Sequence, residues 1–171
     1  MNTTIADRLS IAQSRINQAA QKCSRMPDEI KLLAVSKTKP ISDIIEAYRA
    51  GQRLFGENYV QEGEQKITTL RAEYSDIEWH FIGPLQSNKT KIVAQHFDWM
   101  HSVDREKIAR RLSEQRPPSL APLAVCLQIN VSGEATKSGV NPGEALALAK
   151  RIAGLPGLCL RGLMAIPEPT D

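Results

Sequence analysis

The sequence alternates short apolar segments with longer amphipathic ones, and this alternation limits the folds that the chain can adopt. Apolar segments too short for helices lie at 32–35, 77–83, 123–131 and 158–165, and residues at helical spacing separate them. A strand recurs about every 20–35 residues, which leaves room for a helix between neighbouring strands. Parallel strands need such crossover helices. The chain is therefore predicted to be an α/β protein with six parallel strands.

Two architectures are compatible with this order, an open doubly wound sheet and a β/α barrel. A doubly wound sheet gathers its ligand-binding groups at one switch point, whereas a barrel places them after many strands. The sequence contains neither a G-x-G-x-x-G nor a P-loop pattern. Residues with useful chemistry instead follow most of the predicted strands, and this distribution favours the barrel. They are Lys37, Asn58, His80, Asp104, Lys137 and Met164.

Composition excludes several classes of function. The 171 residues are enough for one domain, 1–171, and the net charge of +3 is too small to indicate binding to nucleic acid or to an anionic membrane. The chain has no apolar run of about 18 residues, and its first residues lack the pattern of a signal peptide. We therefore expect a cytoplasmic protein. Three widely spaced cysteines predict buried thiols rather than disulfides or zinc ligands.

The segment 31–40, KLLAVSKTKP, places Lys37 and Lys39 directly after the first predicted strand. Its apolar part, 32–35, is typical of a strand buried on both faces. Ligands bind at the carboxyl ends of parallel strands, and a neutral lysine amine at that position can form a Schiff base with a carbonyl compound. The alternative is that both lysines are solvated, because lysine side chains are mostly exposed.

Several other polar residues have two interpretations. Asn58 could hydrogen-bond a phenolic or carbonyl oxygen of a ligand, or cap the helix that begins there. His80 is predicted to point inward, where it contacts a ligand ring or forms hydrogen bonds within the core. Lys137 lies in a polar loop that could approach the site or remain solvated. Three carboxylates open the helix after the second strand, where negative charge is favourable in any case, so they are weak acid/base candidates. They are Glu57, Glu62 and Glu64.

Five segments spread along the chain carry a family resemblance. They are LLAVSKTKP at 32–40, FGENYVQE at 55–62, WHFIGPLQSNK at 79–89, ATKSG at 135–139 and LRGLMAIP at 160–167. Together they resemble the pyridoxal phosphate homeostasis proteins, a family with the alanine-racemase-type barrel. The likeness covers nearly the whole chain, and WHFIGPLQSNK is long and unusual enough to be a strong signature.

The resemblance implies that Lys37 holds pyridoxal 5′-phosphate (PLP) as an internal aldimine and that Asn58 lies beside the oxygen of the pyridine ring. By the same resemblance Lys39, His80, Lys137 and Met164 belong to the neighbourhood of the pocket. The implied function is a carrier and regulator of intracellular PLP that affects vitamin B6 and amino-acid pools without catalytic turnover. PLP-dependent apo-enzymes are the expected recipients, and the complete protein is expected to be a monomer.

The resemblance also predicts missing structure. Family members continue through two further β/α units that cup the cofactor phosphate, and phosphate sites in such barrels typically follow strands seven and eight. We therefore expect a (β/α)8 TIM-type barrel of the alanine-racemase N-terminal kind, truncated after the sixth strand. If residues 1–171 were the entire molecule, cofactor affinity would be poor, because the phosphate would lack its anchor.

The main alternative function is a PLP-dependent amino-acid racemase or lyase, which would use the same cofactor as an electron sink. Racemases with this barrel resemble two-domain dimers in which a β-rich second domain supplies a tyrosine base from the partner subunit. The sequence contains no segment that resembles such a domain, which disfavours the alternative. A Schiff-base aldolase would need carboxylate or tyrosine acid/base partners, and the sequence places none convincingly.

Overall fold

Each strand of the sheet lies beside the strand that precedes it in the sequence. The computed structural model describes residues 3–132 and 138–167, and its strands are joined in parallel in the order β1-β2-β3-β4-β5-β6. A doubly wound sheet reverses its order at a switch point, whereas a barrel adds every strand on the same side. The order therefore confirms the barrel-type prediction. The strands are β1 Ala34–Val35, β2 Leu54–Glu57, β3 Glu78–Phe81, β4 Trp99–Val103, β5 Leu123–Gln128 and β6 Leu158–Met164.

A helix precedes the first strand, and one helix or helical segment joins each pair of neighbouring strands. In the first of these helices Thr4 and Asp7 form a capping box, because each side chain accepts a hydrogen bond from the backbone N–H of the other residue. Short 3₁₀ turns lie at Pro27–Glu29 and Ser87–Lys89. The helices are α1 Ile5–Lys22, α2 Ile41–Arg49, α3 Val60–Leu70, α4 Thr90–His96, α5 Glu106–Gln115 and α6 Pro142–Ala153.

The hydrophobic core lies between the sheet and the helices. Successive side chains of a strand point to opposite faces, so Trp79 and Phe81 of β3 pack on the helical side while His80 points to the inner side. Phe81 meets Phe97 edge to face, with ring centroids 5.4 Å apart. This agrees with the prediction that His80 points inward.

The first strand differs from its prediction. β1 contains only two residues and, among the residues that the structure describes, pairs only with β2. Val35 is 50% exposed, so the expectation of a strand buried on both faces is wrong. The reason is that an edge strand has a neighbour on one side only, and its inner face lacks the side chains that a second neighbour would contribute.

Two of the three cysteines differ from their prediction. The three cysteines are free thiols, but Cys23 and Cys159 are exposed and Cys126 is half-buried, so the expectation of buried thiols is wrong for two of them. Cys23 follows the last turn of α1, and Cys159 lies on the edge strand β6. Within residues 3–132 and 138–167, no helix is both long enough and apolar enough to cross a membrane.

Candidate functional site

Lys37 lies in a tight turn directly after β1. The Lys39 N–H donates to Ser36 O at 3.0 Å, which closes a β-turn with Lys37 at its second position and Thr38 at its third. Thr38 has φ +63°, a left-handed conformation that β-branched residues rarely adopt. Lys37 is half-buried, and its amine forms no hydrogen bond or ion pair with another described residue. The backbone of this turn is therefore constrained, while the amine remains available.

Asn58 lies beside this turn, at the carboxyl end of β2. Val35 is level with Gly56 in the sheet, and the Ser36 N–H donates to Gly56 O at 2.9 Å, so Lys37 and Asn58 each stand two residues beyond that pair. Asn58 Oδ1 is buried and has no hydrogen-bond partner among the described residues. Leaving such an acceptor unpaired costs about 1–3 kcal/mol. A buried acceptor without a protein partner therefore typically accepts a hydrogen bond from a ligand or from water.

The helix-capping interpretation of Asn58 is wrong. Helix α3 begins at Val60, its N-cap is Tyr59, and no side chain caps it. Gly83, which follows β3, instead packs directly on the backbone of Asn58: a Cβ at Gly83 would lie 2.4 Å from Asn58 O and 2.8 Å from Asn58 Cα. Only glycine allows this approach, so the WHFIGPLQSNK segment helps to hold Asn58 in place.

A buried ion cluster lies on the helical side of the same turn. Lys66 Nζ donates to Ser36 O and Glu57 Oε1 at 2.7 Å each, and to Glu62 Oε1 at 2.6 Å. Ser36 Oγ donates to Glu57 Oε1 at 2.6 Å, and the Thr38 N–H donates to Glu62 Oε1 at 2.7 Å. The cluster thus joins β2 and α3 to the residues on both sides of Lys37.

The carboxylates of this cluster differ from their predicted role. Glu57 does not open a helix: it is the last residue of β2, fully buried on the helical side. Partial burial acts to raise the pKa of Glu62, but the hydrogen bonds from Lys66 and Thr38, together with the Lys66 charge, outweigh it and lower that pKa. Glu62 is therefore a charged acceptor at neutral pH.

His80 lies inside β3 with both ring nitrogens engaged. Its Nε2 lies 2.8 Å from Glu78 Oε1 and its Nδ1 lies 2.8 Å from His101 Nε2, while its ring stacks on Trp99 with centroids 5.3 Å apart. A carboxylate only accepts, so His80 Nε2 carries the proton and His80 Nδ1 accepts from His101 Nε2–H. This is the arrangement of a hydrogen-bonded core histidine, and it leaves the ring face rather than a nitrogen for contact with a ligand.

The histidine pair predicts an acid-sensitive fold. Burial lowers the pKa of His80 to about 4, and burial together with His80 lowers the pKa of His101 to about 4. Unfolded histidine titrates near pH 6.5, so between about pH 6.5 and 4 the unfolded chain binds more protons than the folded one. We expect the free energy of unfolding to fall by on the order of 2 kcal/mol across this window, measured by urea unfolding.

The control for this pH prediction is His96→Gln, because His96 is partly exposed at the end of α4. This variant is expected to keep the acid sensitivity of the unmodified chain. His80→Gln combined with His101→Gln is expected to flatten it. A slope that is unchanged in the double variant would contradict the assignment.

The remaining predicted residues are distributed around the sheet. Lys39 is exposed and borders an open cleft between α1 and β1, which Thr4 and Arg8 also line. Met164 is the half-buried last residue of β6, the other edge strand of the described sheet. Lys137 lies outside the described residues. The structure therefore brings Lys37 and Asn58 together, places His80 level with Gly56, and leaves Met164 at the same carboxyl edge but four strands from Asn58.

Sequence reasoning missed Lys66 and the partnership of His80 with His101. A signal for Lys66 was present, because it falls among Gly63, Ile67 and Leu70 on the buried face of α3. A lysine in such an apolar stripe needs buried acceptors, and Glu62, one turn earlier, provides one. The His80–His101 pair follows from strand register, which the sequence pattern does not specify.

Comparison with known proteins identifies the family. Residues 9–171 match the family described as "Alanine racemase, N-terminal domain", which agrees with the predicted fold class. The pyridoxal phosphate homeostasis protein of Haemophilus influenzae is 60% identical over 167 residues, covering 98% of this chain and 70% of that protein.

Two solved structures agree with this match. An unknown protein from Bifidobacterium adolescentis has a TM-score of 0.88 at 34% identity, covering 95% of this chain and 69% of that one. PipY of Synechococcus elongatus, solved with PLP bound, has a TM-score of 0.75 at 38% identity, covering 89% of this chain and 70% of that one. The chain belongs to the pyridoxal phosphate homeostasis protein family, within the alanine racemase N-terminal domain group.

Proposed function

We propose that this chain binds PLP through Lys37 and acts as a carrier that regulates the intracellular supply of the cofactor, and so vitamin B6 and amino-acid homeostasis. The proposal depends on one observation. Lys37, whose amine has no polar partner among the described residues, lies in a constrained turn beside Asn58, whose buried amide oxygen has none there either. The name of the H. influenzae relative and the PLP in the PipY structure support the same cofactor.

Lys37 and Asn58, at the carboxyl edge of the sheet, fit the chemistry of the cofactor. PLP would supply an aldehyde, with which a primary amine condenses with loss of one water molecule. Lys37 provides such an amine, and Asn58 provides an amide that can present its oxygen or, after a half-turn about the Cβ–Cγ bond, its NH₂ group. We assign to Lys37 the covalent anchor and to Asn58 the hydrogen bond to the ring oxygen.

Four further residues belong to the proposed neighbourhood of the cofactor. Lys39 and Lys137 would add positive charge near the anionic phosphate. His80 would contribute through its ring, since both of its nitrogens bond within the protein. Met164 would contribute apolar surface at the end of β6. We treat 1–171 as a single PLP-binding domain.

We further propose that the chain holds PLP without turning over an amino acid and passes it to apo-enzymes in the cytoplasm. The partial exposure of Lys37 supports handover, because an acceptor amine can approach it. The free thiols suit a reducing compartment. The alternative racemase or lyase needs a base that removes an α-proton. The engagement of His80 and His101 with each other supports the carrier instead.

Borohydride fixation tests the anchor. Protein mixed with PLP is expected to show a visible absorbance band, and reduction followed by proteolysis and mass spectrometry is expected to place the label on Lys37. Fixation on a different lysine would contradict the anchor. Incubation with each enantiomer of alanine tests turnover separately. Racemisation faster than that produced by free PLP would contradict the carrier function and support the enzyme function.

A further inference from the structure

The position of the Lys37 amine depends on the backbone of its turn, because the amine itself has no polar partner among the described residues. The turn is held from outside by side chains of the buried ion cluster. Ser36 O accepts from Lys66 Nζ at 2.7 Å, and the Thr38 N–H donates to Glu62 Oε1 at 2.7 Å. The residues immediately before and after Lys37 are therefore both fixed by charged groups.

One carboxylate oxygen of Glu62 links the hydrogen bond from Thr38 to the hydrogen bonds of Lys66. Glu62 Oε1 accepts from the Thr38 N–H and also from Lys66 Nζ at 2.6 Å. Lys66 is 5% exposed, and its ammonium group donates one hydrogen bond each to Ser36, Glu57 and Glu62. Hydrogen bonds with a charged partner are stronger than neutral ones. The turn is thus held by short contacts to side chains that are themselves anchored in β2 and α3.

The conformation of Thr38 shows that this hold is needed. A threonine with φ +63° is unfavourable, and such a residue persists only when surrounding contacts determine it. Two backbone hydrogen bonds do so here, the one from Thr38 to Glu62 and the one from Lys39 to Ser36. Without the first, Thr38 is expected to return to negative φ, which opens the turn and moves Lys37 away from Asn58.

We propose that Glu62 is a positioning residue, which together with Lys66 holds the Ser36–Lys39 turn so that the Lys37 amine faces a bound aldehyde beside Asn58. This inference rests on the proposed function, since it takes Lys37 as the anchor. Glu62 does not touch the cofactor in this proposal. It acts through the backbone of Thr38.

The experiment compares Glu62→Ala with Glu62→Gln, because glutamine keeps an accepting oxygen for Thr38 while alanine removes it. Glu62 is 30% exposed at its side chain, so neither change is expected to unfold the chain. The matched control is Glu64→Ala on the same helix, whose carboxylate pairs with His96 at 3.4 Å and does not contact the turn. Unfolding in urea would verify that all three variants remain folded.

Two readouts are expected to change together. In Glu62→Ala the rate of borohydride-trapped PLP addition to Lys37 is expected to fall about tenfold, the effect of losing one hydrogen bond to a charged group. In the same variant without cofactor, exchange of the Thr38 amide hydrogen, followed by NMR, is expected to accelerate about tenfold. Glu62→Gln is expected to keep most of both values, and Glu64→Ala all of both.

The outcomes separate this inference from the proposed function. Faster Thr38 exchange with unchanged addition to Lys37 would overturn the positioning role and leave the anchor intact. An equal loss in Glu62→Gln and Glu62→Ala would overturn the assignment to the Thr38 hydrogen bond. Absence of any label on Lys37 in the unmodified chain at saturating PLP would refute the proposed function itself, whatever the exchange rates.

Discussion

Replacement of Lys37 by alanine is expected to abolish covalent binding of PLP to this chain. Lys37 and Asn58 follow the ends of neighbouring strands, whereas Lys39 borders the cleft on the α1 side, so Lys39 is not expected to substitute for Lys37. The label left after borohydride reduction and gel filtration is expected to fall to background. Because Lys37 is half-buried and has no polar partner among the described residues, the free energy of unfolding is expected to change by about 0.5 kcal/mol or less.

Two further variants serve as controls for the loss of label in Lys37→Ala. Lys37→Arg keeps the positive charge but remains protonated, so it is also expected to take no label. Lys31→Ala is the matched control, because Lys31 is exposed on the amino-terminal side of the same strand. It is expected to take full label. A Lys37→Ala protein that keeps the visible band at unchanged intensity would refute Lys37 as the anchor.

The parts of this fold that the sequence predicted are those that follow from periodicity along the chain. The alternation of Trp79 and Phe81 with His80 separates the helical and inner sides of β3 without knowledge of its neighbours. The spacing of strands and helices implies parallel crossovers, and polar residues after several strands distinguish a barrel from a doubly wound sheet. The end of the first strand at residue 35 likewise follows from the end of an apolar run.

The parts that the sequence did not predict depend on contacts between distant segments. Glu57 and Lys66 meet because β2 and α3 fold back on each other, and His80 meets His101 because β3 and β4 pair in one particular register. Local preference was misleading at Asn58, a good capping residue that does not cap α3. The close packing of Gly83 on the Asn58 backbone, rather than helix preference, determines its position.

The ion cluster also leads to the largest expected change in stability. Replacement of Lys66 by methionine is expected to lower the free energy of unfolding by about 3–5 kcal/mol, because a fully buried Glu57 carboxylate would lose its cation. Glu57 Oε2 has no hydrogen-bond partner among the described residues, and Oε1 would retain only the bond from Ser36. Urea unfolding at neutral pH measures the loss.

The control for Lys66→Met is Arg25→Met, which removes a solvent-exposed ion pair with Glu29 and is expected to cost about 0.5 kcal/mol or less. Adding Glu57→Gln to Lys66→Met is expected to recover a large part of the loss, because the cost arises from the uncompensated charge rather than from lost packing. Equal losses in Lys66→Met and Arg25→Met would show that water reaches Glu57. A double variant no more stable than Lys66→Met alone would instead assign the loss to the hydrogen bond between Lys66 and Ser36 O.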